Sequence, residues 1–443
     1  MARIKKRISM LAVILLLAFM LWYAMEDSMK NEGVTSRTSD EAVELNVWYA
    51  DEEMQDYVED AAKSFEEKEN IKVNVKLISE IDYIEMINDN SVGEEFQGPD
   101  VYLVTNDQLE KVELAGLTKK IEKNKNHYSD ENYCGTALHA VRYNGTQIAY
   151  PISFETSFLL YNQDYIQVEK TIEAEDSGEE IPEQAETQRV SIIPKTIEEL
   201  KEFSDIFEGA EGVENIFRFD VSDIFYTYFF VGDYLNLGGI DGDNAGIVDI
   251  DNESVKEGLT IFQELAQFFA IDVKTINYET VLTEFAQGKT VYAIGKTDAV
   301  KRINDIAAEN GKEINYGVAV LPNVSDTLTS KALSVTTVAV VNGYTRHEQE
   351  AHEFGDYLSY GYADKLYEMT GKYAAKRDVV TADNSYRDEI YTQYENSVSL
   401  PKLLNASNFW VDLEIAFFNI WTGEEVETQI RTVSERVKEQ LDN

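Results

Sequence analysis

The sequence has 443 residues, of which 44% are hydrophobic and 11% aromatic, a composition typical of globular proteins large enough for more than one core. Its 39 basic and 82 acidic residues give a formal net charge of −43, which argues against nucleic acid or an anionic lipid surface as a partner. The single cysteine, Cys134, excludes an intramolecular disulfide and a cysteine-ligated metal cluster. The four histidines lack the i, i+4 spacing of a zinc-binding helix, so we expect no metal and no cofactor.

Residues 1–25 combine a basic start with an apolar run, Leu11–Tyr23, that ends in two aromatic residues. This pattern is typical of a signal segment that directs the rest of the chain out of the cytoplasm. The run approaches the length that spans a bilayer, its final aromatic residues suit the membrane interface, and the residues after it form a poor cleavage site. We therefore predict an uncleaved signal anchor over 1–25, with cleavage as the alternative, and a polar linker over 26–43.

The folded part begins with a predicted strand, helix and strand. Apolar residues alternate over Leu45–Tyr49, recur at helical spacing over Met54–Glu69, and alternate again over Ile71–Ile78. This order predicts a βαβ unit with a parallel sheet. Asp51 and Glu52 fall in the loop after the first strand, at the carboxyl end where open α/β sheets bind their ligands.

A further strand is predicted over Val101–Val104, and Asp107 follows it closely. Aspartate is common at the start of helices because its carboxylate accepts a hydrogen bond from the backbone. The sequence alone leaves two roles open for Asp107, a helix cap or a ligand contact.

The stretch from Val141 to Ile166 is predicted to form a hairpin and then a long buried strand. Its turn, Asn144-Gly145, has the residue types that tolerate positive φ at both central positions of a type I′ turn. Apolar residues dominate the segment that follows, and Glu155 interrupts them with a carboxylate. Glu155 is therefore a candidate functional residue.

Residues Gln167–Ile193 are acidic and contain few large apolar side chains, so we predict an exposed, mobile loop whose role is left open.

Asp223–Leu235 is rich in aromatic residues and is predicted to form a helix, with Phe225 as either a core residue or a ligand platform. The acidic stretch Asp241–Asp249 resembles part of an EF-hand calcium-binding loop. Ala245 and Asn252 stand at two positions where such a loop needs other ligand residues, which argues against a bound metal ion.

Two helices are predicted at the end of the chain, Ser407–Thr422 and Glu424–Leu441, separated by Gly423. In the first of them one stripe of apolar residues forms the predicted buried face, which comprises Phe409, Leu413, Ala416, Phe417 and Ile420. Trp410 lies at the margin of this stripe, where an indole can pack against the core or turn toward a cleft.

Six segments occur in the same order as in a known protein family. They are VRYNGTQIAYPISFETSFLLYN, GPDVYLV, PKTIEEL, FAQGKTVYAIG, INYGVAVLP and SNFWVDLEIAF. These segments resemble the maltose-binding-protein family, the solute-binding subunits of ABC sugar importers, over nearly the whole chain from about Glu44. The resemblance implies an α/β, two-lobe periplasmic-binding-protein-like fold of type II that closes on its ligand about hinge crossovers.

The resemblance also implies where the lobes divide. The N-terminal lobe is expected to comprise residues 44–154 and 338–376, and the C-terminal lobe residues 156–332 and 378–443. The chain would cross between them near Glu155, Leu333–Thr337 and Arg377.

Eight residues are expected to contact the ligand, some from their position at strand ends and some from the resemblance. They are Asp51, Glu52, Asp107, Glu155, Asp223, Phe225, Asp298 and Trp410. Val104 and Asp298 stand where the family carries aromatic residues, so two expected sugar-stacking platforms are missing and Trp410 is the one retained.

The expected function is an extracytoplasmic, membrane-anchored protein that captures a small polar solute, an oligosaccharide by resemblance, for the permease subunits of an ABC importer. The carboxylates would accept charge-assisted hydrogen bonds from sugar hydroxyls. Three alternatives stay open. The acidic set could bind a cationic solute such as a polyamine, the protein could be a surface sensor, or two carboxylates could serve a carbohydrate-active enzyme. The sequence shows no catalytic fingerprint, so we expect no enzyme.

Overall fold

The computed structural model describes residues 43–93, 95–122, 124–172, 186–379, 386–404 and 408–442, with only the backbone described at 168–172 and 186–189. The predicted anchor and all but the last residue of the predicted linker lie outside these ranges. Within the described ranges, no helix combines the length and the apolar character needed to cross a bilayer.

The strands occupy the following segments. They are β1 (Glu44–Tyr49), β2 (Lys72–Leu77), β3 (Val101–Thr105), β4 (Arg142–Tyr143), β5 (Thr146–Gln147), β6 (Tyr150–Asn162), β7 (Gln167–Ile172), β8 (Glu186–Ser191), β9 (Asn215–Arg218), β10 (Asn236–Gly238), β11 (Asn244–Asp249), β12 (Thr290–Lys296), β13 (Tyr316–Ala319), β14 (Ala332–Val341), β15 (Tyr373–Ala374) and β16 (Ser397–Ser399).

The helices alternate with these strands. They are α1 (Gln55–Glu69), α2 (Tyr83–Ser91), α3 (Leu109–Leu114), α4 (Gly135–Ala140), α5 (Ile197–Ile206), α6 (Ile224–Thr227), α7 (Glu253–Phe269), α8 (Tyr278–Ala286), α9 (Ala299–Glu309), α10 (Glu348–Asp356), α11 (Leu366–Thr370), α12 (Arg387–Glu395), α13 (Phe409–Trp421) and α14 (Val426–Leu441). Short 3-10 turns occur at Glu52–Met54, Asn106–Gln108, Tyr228–Phe230 and Ala363–Lys365, and a π turn at Tyr357–Gly361.

Ten of the described strands belong to one sheet. Its central strands follow the order β2, β1, β3, β14, β6, β12 and β9, while β13 and β15 pair with β6 and β16 pairs with β14. The 13-residue strand β6 is antiparallel to β14 over Tyr150–Thr156 and antiparallel to β12 over Ser157–Tyr161. Strand β6 therefore changes its hydrogen-bonded neighbour from β14 to β12 at its middle, beside Glu155.

The predicted βαβ unit is confirmed. β1 and β2 are parallel in the register Leu45↔Val73, and β1 is also parallel to β3. The carboxyl ends of β1 and β3 consequently meet at one edge of the sheet, next to the middle of β6.

The predicted hairpin is confirmed as well. β4 and β5 are antiparallel, and the turn residues Asn144 and Gly145 have φ of 48° and 70°. Positive φ at both positions is the geometry that the Asn-Gly pair tolerates.

The prediction of a loop over Gln167–Ile193 is wrong at its two ends. β7 and β8 form an antiparallel pair with the register Gln167↔Ser191 through Ile172↔Glu186, and residues 173–185 between them lie outside the described ranges. β-branched residues recur in both strands. Composition pointed to a loop because few large apolar groups are present, whereas strand pairing rests on backbone hydrogen bonds and needs no core.

The predicted helix over Asp223–Leu235 is also wrong in extent. The helix α6 ends at Thr227, and a 3-10 turn over Tyr228–Phe230 follows. A Cβ at Gly232 would lie 2.1 Å from the carbonyl oxygen of Lys331, so the chain needs glycine to pass this close to a neighbouring segment. Tertiary packing overrides helix propensity here, because aromatic side chains on every side of the segment are buried.

Hydrophobic cores flank the sheet on both sides of β6. Tyr102 and Leu109 belong to the core around β1 and β3. On the other side, the ring of Phe262 on α7 lies 5.2 Å from that of Phe417 and 4.9 Å from that of Trp421. These cores fix the position of α13 and, through it, of Trp410.

Candidate functional site

A cavity of about 520 Å³ lies at the carboxyl ends of β1 and β3 and against the middle of β6. Its size is within the range of small-molecule binding sites. Loops and strands from distant parts of the chain supply its walls. The lining residues are Asp51, Thr105, Asp107, Glu155, Asp223, Ile224, Phe225, Tyr226, Lys296, Leu333, Val335, Thr337, Leu400 and Trp410.

Six of the eight predicted site residues line this cavity. They are Asp51, Asp107, Glu155, Asp223, Phe225 and Trp410. The structure places Glu52 and Asp298 outside it, where both line a neighbouring cavity of about 420 Å³ that shares Glu155.

Local hydrogen bonds explain the two exceptions. Asp51 caps the turn that follows β1 by accepting a hydrogen bond of 3.0 Å from the backbone N–H of Glu53, and Glu52 is left exposed. Asp298 accepts a hydrogen bond of 2.6 Å from the Tyr278 hydroxyl and one of 3.3 Å from Arg302, which hold it at the start of α9.

Glu155 lies between two lysine side chains that the sequence analysis did not identify. Its Oε2 is 3.0 Å from Nζ of Lys296, and its Oε1 is 3.3 Å from Nζ of Lys372. Burial raises the pKa of Glu155, but the two ammonium groups lower it by more, so the pKa lies below its ordinary value. Glu155 is therefore ionised, and its charge is already balanced within the protein.

Lys372 ties several acids together at this edge of the sheet. Its Nζ is 3.2 Å from Asp51 Oδ2 and 2.6 Å from Glu53 Oε2, in addition to its contact with Glu155. Burial lowers the pKa of Lys372, and the carboxylates of Glu155, Glu53 and Asp51 raise it by more, so it remains protonated. No periodic pattern marks Lys296 or Lys372 in the sequence, because each meets Glu155 only through the tertiary fold.

Asp107 presents an acceptor that the protein leaves free. Its Oδ2 accepts a hydrogen bond of 2.6 Å from Gln108 Nε2, while its Oδ1 is buried and has no hydrogen-bond partner among the described residues. Its side chain caps neither the 3-10 turn after β3 nor α3, so the alternative of a helix cap is not what the structure has. A buried acceptor without a partner is costly, and a ligand donor would satisfy it.

Asp223 and Phe225 enter the cavity from the start of α6. Asp223 caps this helix through a hydrogen bond of 2.8 Å from the backbone N–H of Phe225. Burial raises the pKa of Asp223 above its ordinary value despite that hydrogen bond. The cap fixes the carboxylate of Asp223 and the backbone of Phe225, and both residues line the cavity.

Trp410 lines the cavity from the first turn of α13. All five residues of the predicted apolar stripe are buried, as the sequence indicated, and Trp410 beside them is only partly buried. Its ring makes an edge contact with Tyr228, with 5.9 Å between the ring centroids. It also lies against the ring of Phe409, with 4.8 Å between the ring centroids, and Trp410 still lines the cavity.

The cavity therefore combines carboxylates, one lysine and aromatic or aliphatic surfaces. Polar acceptors around an aromatic face suit a solute with many hydroxyl groups and an apolar ring face. Within the described ranges, no three His, Cys, Asp or Glu side chains are grouped so that they could hold a metal ion.

A family profile described as bacterial extracellular solute-binding protein matches residues 60–392. A maltooligosaccharide ABC transporter solute-binding lipoprotein of Streptococcus pneumoniae R6 is 22% identical over 399 residues, covering 87% of this chain and 86% of that protein. A galactooligosaccharide-binding protein of Bacillus subtilis is 23% identical over 406 residues, covering 89% and 88%.

Solved structures show the same architecture. An extracellular solute-binding protein from Staphylococcus aureus in complex with maltose superposes with a TM-score of 0.74 at 16% identity, covering 91% of this chain and 99% of that one. A cyclo/maltodextrin-binding protein complexed with maltotetraose gives 0.73 at 16% identity, covering 92% and 99%. The predicted α/β fold, the type II fold of periplasmic binding proteins, is thereby confirmed.

Proposed function

This chain belongs to the bacterial extracellular solute-binding protein family, and we propose that it captures an oligosaccharide and delivers it to the permease subunits of an ABC importer. Family membership makes it a binding protein and not an enzyme. The named relatives that bind maltooligosaccharides or galactooligosaccharides support the choice of an oligosaccharide.

The observation that carries the proposal is the meeting of Trp410 with Asp107 and Asp223 around one cavity of about 520 Å³. Carboxylates accept strong hydrogen bonds from hydroxyl groups, and an indole packs against the apolar face of a sugar ring. The free Oδ1 of Asp107 would be satisfied only by a solute that donates a hydrogen bond at that point.

Closure of two lobes would enclose the solute. In this proposal the lobes are residues 44–154 with 338–376 and residues 156–332 with 378–443. Support comes from strand β6, which pairs with β14 along its first half and with β12 along its second half, so the chain crosses there from one proposed lobe to the other. A solute seated there would contact both lobes and stabilise the closed state by differential binding.

We place the protein at the outer face of the cell membrane, held by the apolar segment at 1–25. The relatives from Streptococcus pneumoniae are named lipoproteins, whereas the only cysteine here, Cys134, is fully buried in the fold. An apolar anchor would replace the lipid in keeping the protein near its permease.

A cationic solute such as a polyamine is the competing ligand class. Four carboxylates line the cavity, but Glu155 is paired with two lysines and Lys296 itself lies in the wall. Asp51 is also paired with Lys372, so Asp107 and Asp223 are the lining carboxylates without an ion pair in the described part of the chain. The aromatic ring of Trp410 beside these acceptors supports the proposal of a neutral, hydroxyl-rich solute.

Calorimetry on the purified full-length chain tests the proposal with maltooligosaccharides, galactooligosaccharides and spermidine. We expect saturable binding of at least one oligosaccharide, a ligand-dependent rise in melting temperature and no product release. Asp107→Asn should weaken that binding at least about tenfold, whereas Asp305→Asn on the exposed face of α9 should not. Binding of spermidine without any oligosaccharide would overturn the proposal, and hydrolysis of the sugar would show an enzyme.

The role of the protein in import is tested by measuring sugar uptake in cells. Cells that lack the gene should lose uptake of the bound sugar and regain it with the wild-type chain. Normal uptake in the deletion strain, together with loss of a sugar-induced response, would instead indicate a surface sensor.

A further inference from the structure

One face of α13 carries apolar side chains that the rest of the described chain leaves exposed. Val411, Ile415 and Phe418 are 56%, 50% and 40% exposed. Their spacing of four and three residues makes them neighbours on one face of the helix. The buried stripe of α13 lies on the opposite face. We call Val411, Ile415 and Phe418 the outer stripe.

The outer stripe departs from the usual pattern of a surface helix, whose face opposite the core is polar. The adjacent helix α14 follows that pattern, since its exposed positions include Glu427, Arg431 and Glu435. Single apolar residues on a protein surface are common, whereas apolar residues that adjoin one another mark sites of interaction. The outer stripe therefore indicates a docking surface.

This surface lies beside the candidate cavity. Val411 directly follows Trp410, which lines that cavity from the first turn of α13. One turn further along the helix, the carboxylate of Glu414 interacts with the backbone of Ile224, another residue of the cavity wall. A partner that covers the outer stripe would consequently lie next to the bound solute.

Acidic side chains flank the outer stripe. Asp412 lies to one side of it and Glu414 to the other, because each residue advances about 100° around the helix. Asp412 forms an ion pair of 2.5 Å with Arg436 on α14. Burial and the charge of Asp223 raise the pKa of Glu414, and no cation of the described ranges opposes them. A partner with a basic side chain beside its apolar ones would complement this surface.

The small size of the outer stripe favours a partner that binds and then leaves. A stable dimer buries about 800 Å² on each subunit. Three partly exposed side chains on one helix face provide far less apolar area, which argues against a second copy of this chain. A protein that delivers a solute must dock and dissociate in every cycle, and a small contact suits that task.

We propose that the outer stripe of α13 is the surface that docks on an extracytoplasmic loop of the permease subunits, a loop with apolar side chains beside a basic one. The inference rests on the proposed function, because an importer supplies this partner. Trp410 and the outer stripe belong to one helix, so the loop meets the protein where the solute is held.

Sugar uptake by the deletion strain, complemented with variants of the full-length chain, tests the inference. At equal amounts of protein on the cell surface, Ile415→Asp should lower uptake at least about tenfold, because a charge replaces an apolar contact. Its calorimetric affinity for the sugar should stay within about twofold of wild type. Ile415→Leu keeps the side chain apolar and should support normal uptake. Ile206→Asp is the matched control, because Ile206 at the end of α5 is 49% exposed and lies outside the outer stripe.

Phe418→Asp changes a second position of the same stripe and should lower uptake as Ile415→Asp does. Normal uptake with either variant would overturn the inference and leave the proposed function standing. A loss of sugar affinity as large as the loss of uptake would show that the stripe supports the cavity, and would also overturn it. The same holds if the wild-type chain forms a dimer that Ile415→Asp dissociates without a change in uptake. Failure of the wild-type chain to restore uptake would overturn the proposed function, and the inference with it.

Discussion

The ammonium group of Lys296 lies 3.0 Å from a carboxylate oxygen of Glu155, at the point where β6 exchanges β14 for β12 as its hydrogen-bonded partner. Lys372 approaches the other carboxylate oxygen of Glu155 from the segment after α11. The acid at the centre of the sheet is thus held between two cations. It holds both lysine side chains beside the cavity.

Replacing Glu155 with glutamine should destabilise the protein at neutral pH, because two partly buried ammonium groups each lose one of their carboxylate partners. The expected loss is about 1–3 kcal/mol, between the values for exposed and buried ion pairs. The pKa of Glu155 is lowered in the folded state, so its contribution is present above the unfolded pKa and is lost as pH falls through the folded pKa. The difference between wild type and variant should therefore shrink below about pH 4.

Urea unfolding at pH 7, 5 and 3.5 measures this difference. Glu309→Gln is the control, because its carboxylate is exposed on α9 and should give no comparable difference at any pH. A Glu155→Gln variant as stable as wild type at pH 7 would show that the two lysines do not depend on this charge.

Local patterns predicted much of the fold. The βαβ unit, the Asn144-Gly145 turn and the two final helices all follow from periodicity or turn chemistry within short windows. The failures occurred where tertiary contacts decide. The α-helix ends at Thr227 because the aromatic side chains of the next segment are buried on several sides. Strands β7 and β8 pair through backbone hydrogen bonds, which amino-acid composition does not reveal.

The acids of the candidate site were predictable for a physical reason. Asp51 and Asp107 follow strands whose carboxyl ends meet, so their sequence positions already place them at one sheet edge. The contacts of the lysines were not predictable, because Lys296 and Lys372 contact Glu155 across sequence separations of 141 and 217 residues. Lys296 does end the apolar strand β12, and that strand-end position is the signal that could have identified it.

The anchor prediction concerns the N-terminal segment. We expect the native protein to fractionate with membranes and to carry no acyl group, since its only cysteine is the buried Cys134. Mass spectrometry of the protein from cells checks this expectation. A mature N-terminus beginning after Met25 would show that the segment is removed.

Lys402 should make stability rise with pH in the alkaline range. The residue is 1% exposed, and its ammonium donates hydrogen bonds to the backbone carbonyls of His139 and Asp241. Burial lowers the pKa of Lys402 from 10.5 to about 8, despite the opposing effect of nearby aspartates. Between these two values the unfolded chain binds more protons than the folded one, so deprotonation favours folding.

Comparison with Lys402→Met isolates this effect, because other groups titrate in both proteins. From pH 8 to pH 10, wild type should gain stability relative to the variant, by at most about 3 kcal/mol for a lowering from 10.5 to about 8. Denaturant unfolding at several pH values gives the slope. A constant difference over this range would mean that Lys402 titrates normally.

The last prediction separates the two tryptophans of α13. Trp410 is partly buried and lines the candidate cavity, whereas Trp421 is 6% exposed and donates its indole N–H to the carbonyl of Ile271. Trp410→Ala should lower oligosaccharide affinity at least about tenfold, because a sugar ring loses its aromatic platform. Its melting temperature without ligand should fall by only a few degrees, the shift expected for roughly 1 kcal/mol.

Trp421→Ala is the matched control within the same helix. It opens a cavity in the core against Phe262 and should cost about 3–5 kcal/mol of stability, while the folded fraction keeps its affinity. Calorimetry and thermal unfolding of both variants give a two-way comparison in which binding and stability change independently. If Trp410→Ala melted as low as Trp421→Ala and yet bound its ligand like wild type, Trp410 would be a core residue. Sugar recognition would then have to rest on Phe225 and the carboxylates, because those residues reach the cavity without Trp410.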